Sequence, residues 1–110
     1  MAYAHIRGGN EMGHKWHTDA VKMNKINSID DLISCASHLI AKGYTHPALL
    51  CGAGGSAGAT ILAAAVNMRP DLWKCVVYTS PFLDVLGNLL DKTLPLTITD
   101  FEEFGNPIDD

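Results

Sequence analysis

The segment ALLCGAGGSAGATILAAAVNM, residues 48–68, constrains the fold of this chain more than any other part of the sequence. Residues 48–53 form a short apolar run without alternation, which predicts a strand buried on both faces. Residues 57–68 are apolar nearly all round, which predicts a buried helix. The glycines between and beside these runs surround Ser56: Gly52, Gly54, Gly55 and Gly58. Because glycine is costly in regular structure, the cluster indicates a backbone that turns sharply or is closely approached.

The residues around this serine fit a nucleophile turn. Gly54–Gly58 matches G-x-S-x-G, and it lies between a predicted strand and a predicted helix, as that motif requires. A serine at such a turn holds strained backbone angles and raises its hydroxyl above the sheet, so its neighbours two residues away must be small. The N–H of Ala57, at the helix start, would point to a developing oxyanion.

Three other interpretations of the same glycines remain open at this point. One is a tight strand-to-helix turn without chemistry. A second is a dinucleotide loop, because Gly52, Gly54 and Ala57 fit G-x-G-x-x-A, although the next predicted strand ends without the acidic residue that would bind a ribose. The third is a phosphate-binding P-loop, which is disfavoured because no lysine directly precedes Ser56.

The remaining pattern predicts an α/β fold, a parallel sheet core with helices on both faces. Residues 2–6 and 75–79 predict two further strands, and residues 10–27 predict an irregular polar segment. Ser28 and Asp31 fit a capping box that would begin a helix, and Gly43 fits its C-terminal cap. Strands alternating with helices imply parallel pairing. Three strands make a small sheet, so we expect the chain to be the central part of a larger domain.

Composition excludes several classes of partner. The net charge of −4 argues against a nucleic-acid surface, and the sequence has no apolar run long enough to span a membrane. Residues 1–20 have no charged start followed by an apolar run, so we expect no signal peptide. The three cysteines are unpaired by spacing and lie in apolar contexts, so we expect buried free thiols in a reducing, cytoplasmic compartment. His14 and His17 have the spacing of metal ligands on a helix but lie in a predicted loop, so we expect no metal and no cofactor.

Six segments of the chain together resemble one family. RGGNEMG at 7–13, GGSAG at 54–58 and NMRPDL at 67–72 are similar to segments of the prolyl oligopeptidase family of serine peptidases. PFLDVL at 81–86, LPLT at 94–97 and EEFGNP at 102–107 resemble the oligopeptidase B branch in particular. Asn10 and Ala59 depart from the family pattern, which usually has glycine at both positions. Neither departure affects the nucleophile position.

The resemblance implies part of an α/β-hydrolase catalytic domain that cleaves peptides by acyl transfer. Ser56 would be the nucleophile and the Ala57 N–H would supply half of the oxyanion hole. The catalytic Asp and His follow the serine in this fold, but all five histidines of this chain precede Ser56. We therefore expect the chain alone to be inactive, and to act with the rest of the catalytic domain and a β-propeller. The alternative is a non-catalytic remnant or interaction module on the same scaffold.

The resemblance also assigns a substrate class. Asp100 and Glu102 match acidic positions that bind basic side chains of the substrate in the oligopeptidase B branch, so it implies cleavage of peptides after basic residues. They alternate around Phe101, and an extended backbone would place both carboxylates on one side. Asp at position 100 is shorter than the Glu usual in that branch.

Overall fold

A computed structural model describes residues 1–109 of the chain. They divide into two units, the first formed by Met1–Ile6 with Ser28–Leu83, the second by Arg7–Asn27 with the segment from Asp84 onward.

The first unit contains a parallel β-α-β arrangement. Strand β1 spans Cys51–Gly55 and strand β2 spans Cys75–Thr79, and they pair in parallel with Cys51 opposite Cys75 and Gly55 opposite Thr79. Helix α3, Ala57–Met68, connects them together with a short 3-10 helix at Pro70–Leu72. The bounds predicted for the second strand of this pair and for the helix are therefore confirmed. Within residues 1–109 the sheet has these two strands.

The core of this unit lies between α3 and the sheet. One face of α3 is fully buried, and its members are small or branched apolar residues: Ala59, Ile61, Leu62 and Ala65. The strands themselves alternate between exposed and half-buried positions. The prediction of strands buried on both faces is therefore wrong for these residues, as the 58% exposure of Val77 shows.

Two strand predictions need further correction. β1 begins at Cys51 rather than Ala48, because the N–H groups of Leu49 and Leu50 both donate to the His46 carbonyl, at 2.8 and 2.9 Å, and close a turn there. The strand predicted at residues 2–6 is absent from the described residues, where an isolated bridge joins Arg7 and Gly9 instead. A strand needs a neighbour for its backbone hydrogen bonds, and residues 2–6 have none in the sheet.

Helix α2 spans Ile26–Ala41, so it begins before the predicted cap at Ser28. Ser28 lies inside the helix and is 1% exposed, so the predicted start of the helix at a Ser28 capping box is wrong. The predicted end is confirmed. Gly43 has φ +73° and donates to Ile40 at 3.0 Å while Tyr44 donates to Leu39 at 3.0 Å, the paired bonds of a Schellman motif.

The second unit is largely helical, although its sequence predicted irregular structure at residues 10–27. It contains α1 at His14–Thr18, a 3-10 helix at Lys22–Lys25, α4 at Val85–Leu90 and α5 at Thr97–Phe104. Side chains hold these short helices: Asp84 caps α4 by accepting from the Gly87 N–H at 3.0 Å, and the Thr97 hydroxyl donates to the Asn88 carbonyl at 2.9 Å. Helices α1 and α4, of 5 and 6 residues, are too short to repeat an apolar pattern, so the pattern alone does not indicate them.

Candidate active site

Ser56 occupies a strained turn between β1 and α3. Its φ of 49° and ψ of −126° lie outside the usual regions for a residue with a side chain. Three backbone bonds hold it: its N–H donates to the Thr79 carbonyl at 3.1 Å, and its carbonyl accepts from the Ala59 N–H at 3.0 Å and from the Phe82 N–H at 3.4 Å. Ser56 is exposed. Such strain persists only where the surroundings fix the backbone, and it occurs preferentially at functional sites.

The glycines of the turn serve different purposes. A Cβ at Gly54 would lie 2.8 Å from the Gly58 carbonyl oxygen, a backbone atom that cannot move aside without shifting α3. A Cβ at Gly52 would meet Leu62 at 2.9 Å and the Trp73 ring at 3.2 Å, which is close packing of side chains. A Cβ at Gly58 would meet nothing within 4 Å. The predicted need for a small residue thus holds at position 54, where a side chain would collide with the backbone, and does not hold at position 58.

Ala57 is the first residue of α3, a helix of 12 residues. The first N–H groups of a helix have no acceptor within it, and the helix dipole adds partial positive charge at that end. The Ala57 N–H therefore belongs to the set of donors that favours an anion beside Ser56.

The segment after β2 is also held against the turn, which sequence reasoning missed. The Phe82 N–H donates to the Ser56 carbonyl at 3.4 Å, and the Thr60 hydroxyl donates to the Phe82 carbonyl. Ser80 has φ 44°, a positive value that it shares with two other residues that are not glycine, Ser56 and Lys22. One signal was present in the sequence: Thr60 is a hydroxyl residue in the first half of α3, where the other residues are apolar or glycine.

Asp100 and Glu102 lie on helix α5 rather than on an extended segment. Residues two apart on a helix point to widely different sides, so the prediction that both carboxylates share one side is wrong. Glu102 is exposed and Asp100 is half-buried. Glu103, also on α5, pairs with Lys25 of the 3-10 helix at Lys22–Lys25, and the Lys25 ammonium lies 4.9 Å from the centre of the Phe104 ring.

The other candidate residues are placed as follows. His14 and His17 lie on α1, contrary to the predicted loop, with ring centres 6.4 Å apart, and the His17 Nδ1 lies 2.7 Å from the Gly8 carbonyl oxygen. Within residues 1–109, the structure has no group of three or more metal-ligating side chains. Cys51 and Cys75 are exposed and Cys35 is half-buried, so the prediction of buried thiols is wrong for the first two.

Comparison with known proteins shows to which family this chain belongs. The model of the prolyl oligopeptidase family, Peptidase S9, matches residues 1–110. The chain belongs to the prolyl oligopeptidase family.

In the described part of the chain, no helix combines the length and apolar character needed to cross a bilayer.

Relatives and solved structures agree with this assignment. A prolyl endopeptidase-like protein of Xenopus laevis is 44% identical over the whole chain. Oligopeptidase B from Trypanosoma brucei, solved with covalently bound antipain, superposes with a TM-score of 0.88 at 44% identity over 94% of this chain. Oligopeptidase B from Leishmania major gives 0.87 at 41% identity, also over 94%.

The match covers a small part of each relative. The chain spans 16% of the length of the Xenopus protein, 15% of the Trypanosoma enzyme and 14% of the Leishmania enzyme. The predicted fold class, a partial α/β-hydrolase fold, is confirmed by these neighbours. The family prediction is confirmed as well.

Proposed function

We propose that Ser56 is the nucleophile of a serine peptidase and that this chain supplies the nucleophile segment of its catalytic domain. The observation that supports this most directly is the strained φ of 49° at an exposed serine between a parallel strand and a helix. A serine held this way presents its hydroxyl at the sheet edge with a helix N-terminus beside it. Lys22 and Ser80 also have positive φ, but the Ser56 ψ of −126° lies far from the left-handed helical region as well, so its surroundings must fix this conformation.

The chemistry that follows is acyl transfer. The Ser56 hydroxyl attacks the carbonyl carbon of the scissile peptide, and the carbonyl oxygen becomes an anion beside the Ala57 N–H. One such donor lowers the barrier by about 3–4 kcal/mol in serine peptidases. The Ser56 proton must pass to a histidine base, which follows the serine along the chain in this fold. Because every histidine here precedes Ser56, the base is expected to come from another part of the enzyme.

We infer that the substrate is a peptide with a basic residue before the cleaved bond, bound with the help of Asp100 and Glu102. The support is their match to the acidic positions of the oligopeptidase B branch and the exposure of Glu102. Since α5 directs the two carboxylates to different sides, each one acts on its own. Glu102, exposed and longer, is the stronger candidate for contact with a guanidinium group.

The test is a chimaera in which residues 1–110 replace the matching segment of the Trypanosoma brucei oligopeptidase B. The chimaera is expected to cleave an arginyl amide, and Ser56→Ala is expected to lower kcat by at least about a thousandfold, the scale of triad deletions. A fluorophosphonate probe should label the chimaera at Ser56. The matched control is Ser80→Ala, which removes a hydroxyl at another positive-φ serine and should keep the labelling.

Two results would overturn this proposal. One is a folded chimaera that no fluorophosphonate labels. The other is labelling and turnover that survive Ser56→Ala. The 110-residue chain by itself is expected to show no useful turnover, since removal of a base from a serine peptidase costs several orders of magnitude.

A further inference from the structure

The exposed thiols Cys51 and Cys75 form a pair at the amino-terminal ends of the two strands. They are the first residues of β1 and β2 and lie directly opposite each other in the parallel register. Their sulfurs are 3.0 Å apart, and both residues are exposed. Residues opposite each other on neighbouring strands project from the same face of the sheet, so the two side chains converge. Ser56 lies at the other end of β1, and the nucleophile chemistry does not use this pair.

We propose that Cys51 and Cys75 form a dithiol site that a peroxide oxidises to a disulfide joining β1 and β2. Neighbouring strands lie about 4.8 Å apart, which is within the Cα separation of about 4.4–6.8 Å that disulfides accept. The two sulfur atoms, 3.0 Å apart, are already closer than the van der Waals contact distance of two sulfurs. Bond formation therefore requires side-chain rotation rather than movement of the strands.

The hydrogen bond between the sulfurs assigns the roles. Cys75 donates its S–H to the Cys51 sulfur, so we assign Cys51 as the sulfur that attacks the oxidant and Cys75 as the one that closes the disulfide. The same bond, with a contribution from burial, raises the pKa of the Cys75 thiol, which keeps its proton until the second step. Cys35 is half-buried, and burial with the nearby Asp31 carboxylate raises the pKa of its thiol, so it is the less reactive cysteine.

The reaction balances with hydrogen peroxide as the oxidant. The Cys51 thiol releases its proton to solvent and its sulfur attacks one peroxide oxygen; the O–O bond breaks, giving a sulfenic acid and a hydroxide, which takes up that proton as the first water. The Cys75 sulfur then attacks the Cys51 sulfur, the S–O bond breaks, and the hydroxide leaves with the Cys75 proton as a second water. Two thiols are oxidised to one disulfide and one peroxide is reduced to two waters.

The test uses the tryptic map of the chain under non-reducing conditions. Trypsin places the three cysteines in separate peptides, residues 26–42, 43–74 and 75–92, because the Arg69–Pro70 bond resists cleavage. After dilute peroxide and thiol alkylation, the linked pair 43–74 with 75–92 should exceed either other pairing by at least about tenfold, since held groups react at high effective concentration. Cys35→Ser should keep this link, and Cys51→Ser or Cys75→Ser should remove it.

Two controls separate the folded geometry from chance pairing. In strong urea the preference should be lost, because Cys35 lies nearer to Cys51 in sequence than Cys75 does and the shorter loop closes more readily. In a mixture of isotopically heavy and light chains, the linked peptides should be entirely heavy or entirely light. A third control needs no substitution in the chain. A trivalent arsenical, which bridges two close thiols, should protect Cys51 and Cys75 from alkylation and leave Cys35 reactive.

Several results would overturn the proposal. One is a folded chain in which disulfides to Cys35 are as frequent as those between Cys51 and Cys75. Another is a set of linked peptides that combine heavy with light chains. The third is an arsenical that fails to protect Cys51 and Cys75 from alkylation. Each of these would show that the two sulfurs do not share one site on the sheet. The proposal is independent of the peptidase function, which does not involve either thiol.

Discussion

The turn at Ser56 and the acidic segment from Asp84 onward are held by different kinds of interaction. At the turn, backbone contacts backbone: the Ser56 N–H donates to the Thr79 carbonyl at 3.1 Å, and Gly54 packs directly against the Gly58 carbonyl. In the acidic segment, side chains carry the structure. Lys25 pairs with Glu103 and lies over the Phe104 ring, and the Asp84 carboxylate caps α4.

Because of this difference, the two regions should tolerate amino-acid substitutions to different degrees. A backbone contact at Gly54 leaves no volume for a side chain, so the smallest addition displaces a helix. A side-chain contact such as that between Lys25 and Glu103 is lost alone, with the helices still connected by their remaining contacts. We expect sharp effects of substitution at the turn, which fixes the proposed nucleophile, and graded effects in α5, which carries the proposed recognition residues.

The largest effect should come from adding one methyl group at the turn. Gly54→Ala places a Cβ 2.8 Å from the Gly58 carbonyl oxygen, and we expect the free energy of unfolding to fall by about 3 kcal/mol, the upper end for overpacking. Gly58→Ala adds its methyl group to open space in α3, where alanine is the better helix former, and should leave it unchanged or raise it by up to about 1 kcal/mol. Urea unfolding of both variants measures the difference. Equal losses in the two variants would contradict the contact at Gly54.

A smaller effect should come from the recognition residues. In the chimaera, Glu102→Gln should lower kcat/KM for an arginyl substrate about tenfold or more, because a partly desolvated carboxylate that pairs with guanidinium contributes at least about 1.4 kcal/mol. A neutral substrate should be affected little. Asp100→Asn should act in the same direction and more weakly.

Matched controls make this specificity experiment decisive. Asp30→Asn removes another exposed carboxylate, in α2, and should leave the ratio of arginyl to neutral cleavage unchanged. Because α5 directs the two carboxylates apart, the effects of Glu102→Gln and Asp100→Asn should add in the double variant. If Glu102→Gln changed every substrate equally, the assignment of Glu102 would be lost and that of Ser56 would be untouched.

A smaller, structural effect is expected at the ion pair that holds α5. The Lys25 and Glu103 side chains are 17% and 30% exposed, so the pair is mostly removed from water. Lys25→Met keeps the apolar stem and removes the charge, and it should lower the free energy of unfolding by about 1 kcal/mol, between the exposed and buried cases. Lys92→Met is the control, since its ammonium lies 5.9 Å from the Phe101 ring centre and is exposed. Comparable losses in both variants would contradict a special role for Lys25.

The same contrast explains which features the sequence could predict. The bounds of α3 and β2 were predictable because a continuous apolar helix and a β-branched run are local signals, and the glycines around Ser56 report a steric need that is also local. The helix of Asp100 and Glu102 has a local signal too, the apolar residues Ile98, Phe101 and Phe104 at helical spacing, but this signal competes with the alternation around Phe101. The spacing of Asp100 and Glu102 fits a strand, and tertiary contacts override such weak patterns.

The site was predictable to a similar extent. Ser56 and Ala57 follow from a motif placed between two local elements, and the structure gives both the expected position at the strand-to-helix turn. Thr60 and Ser80 could not be assigned, since their roles depend on where the chain returns after β2. The exposure of Cys51 and Cys75 was missed because an apolar strand indicates burial only when other elements cover it, and the described residues do not cover these positions.

The smallest effect concerns pH, at one exposed carboxylate in each unit. The hydrogen bonds and charge of Arg69 lower the pKa of Asp71, whereas the hydroxyl and N–H of Thr93 lower the pKa of Asp91. Both carboxylates therefore stabilise the folded chain above their unfolded pKa values, and that contribution is lost as the pH falls through the folded ones. Raising the salt to about 1 M shortens the screening length to about 3 Å and should move the Asp71 pKa upward toward its ordinary value. The Asp91 pKa should move less, because Thr93 carries no charge.

Carbon-detected NMR titration of the two carboxyl groups at low and high salt measures both shifts, with Asp71→Asn and Asp91→Asn to assign the signals. Equal salt responses would show that the charge of Arg69 does not contribute to the lowered pKa of Asp71.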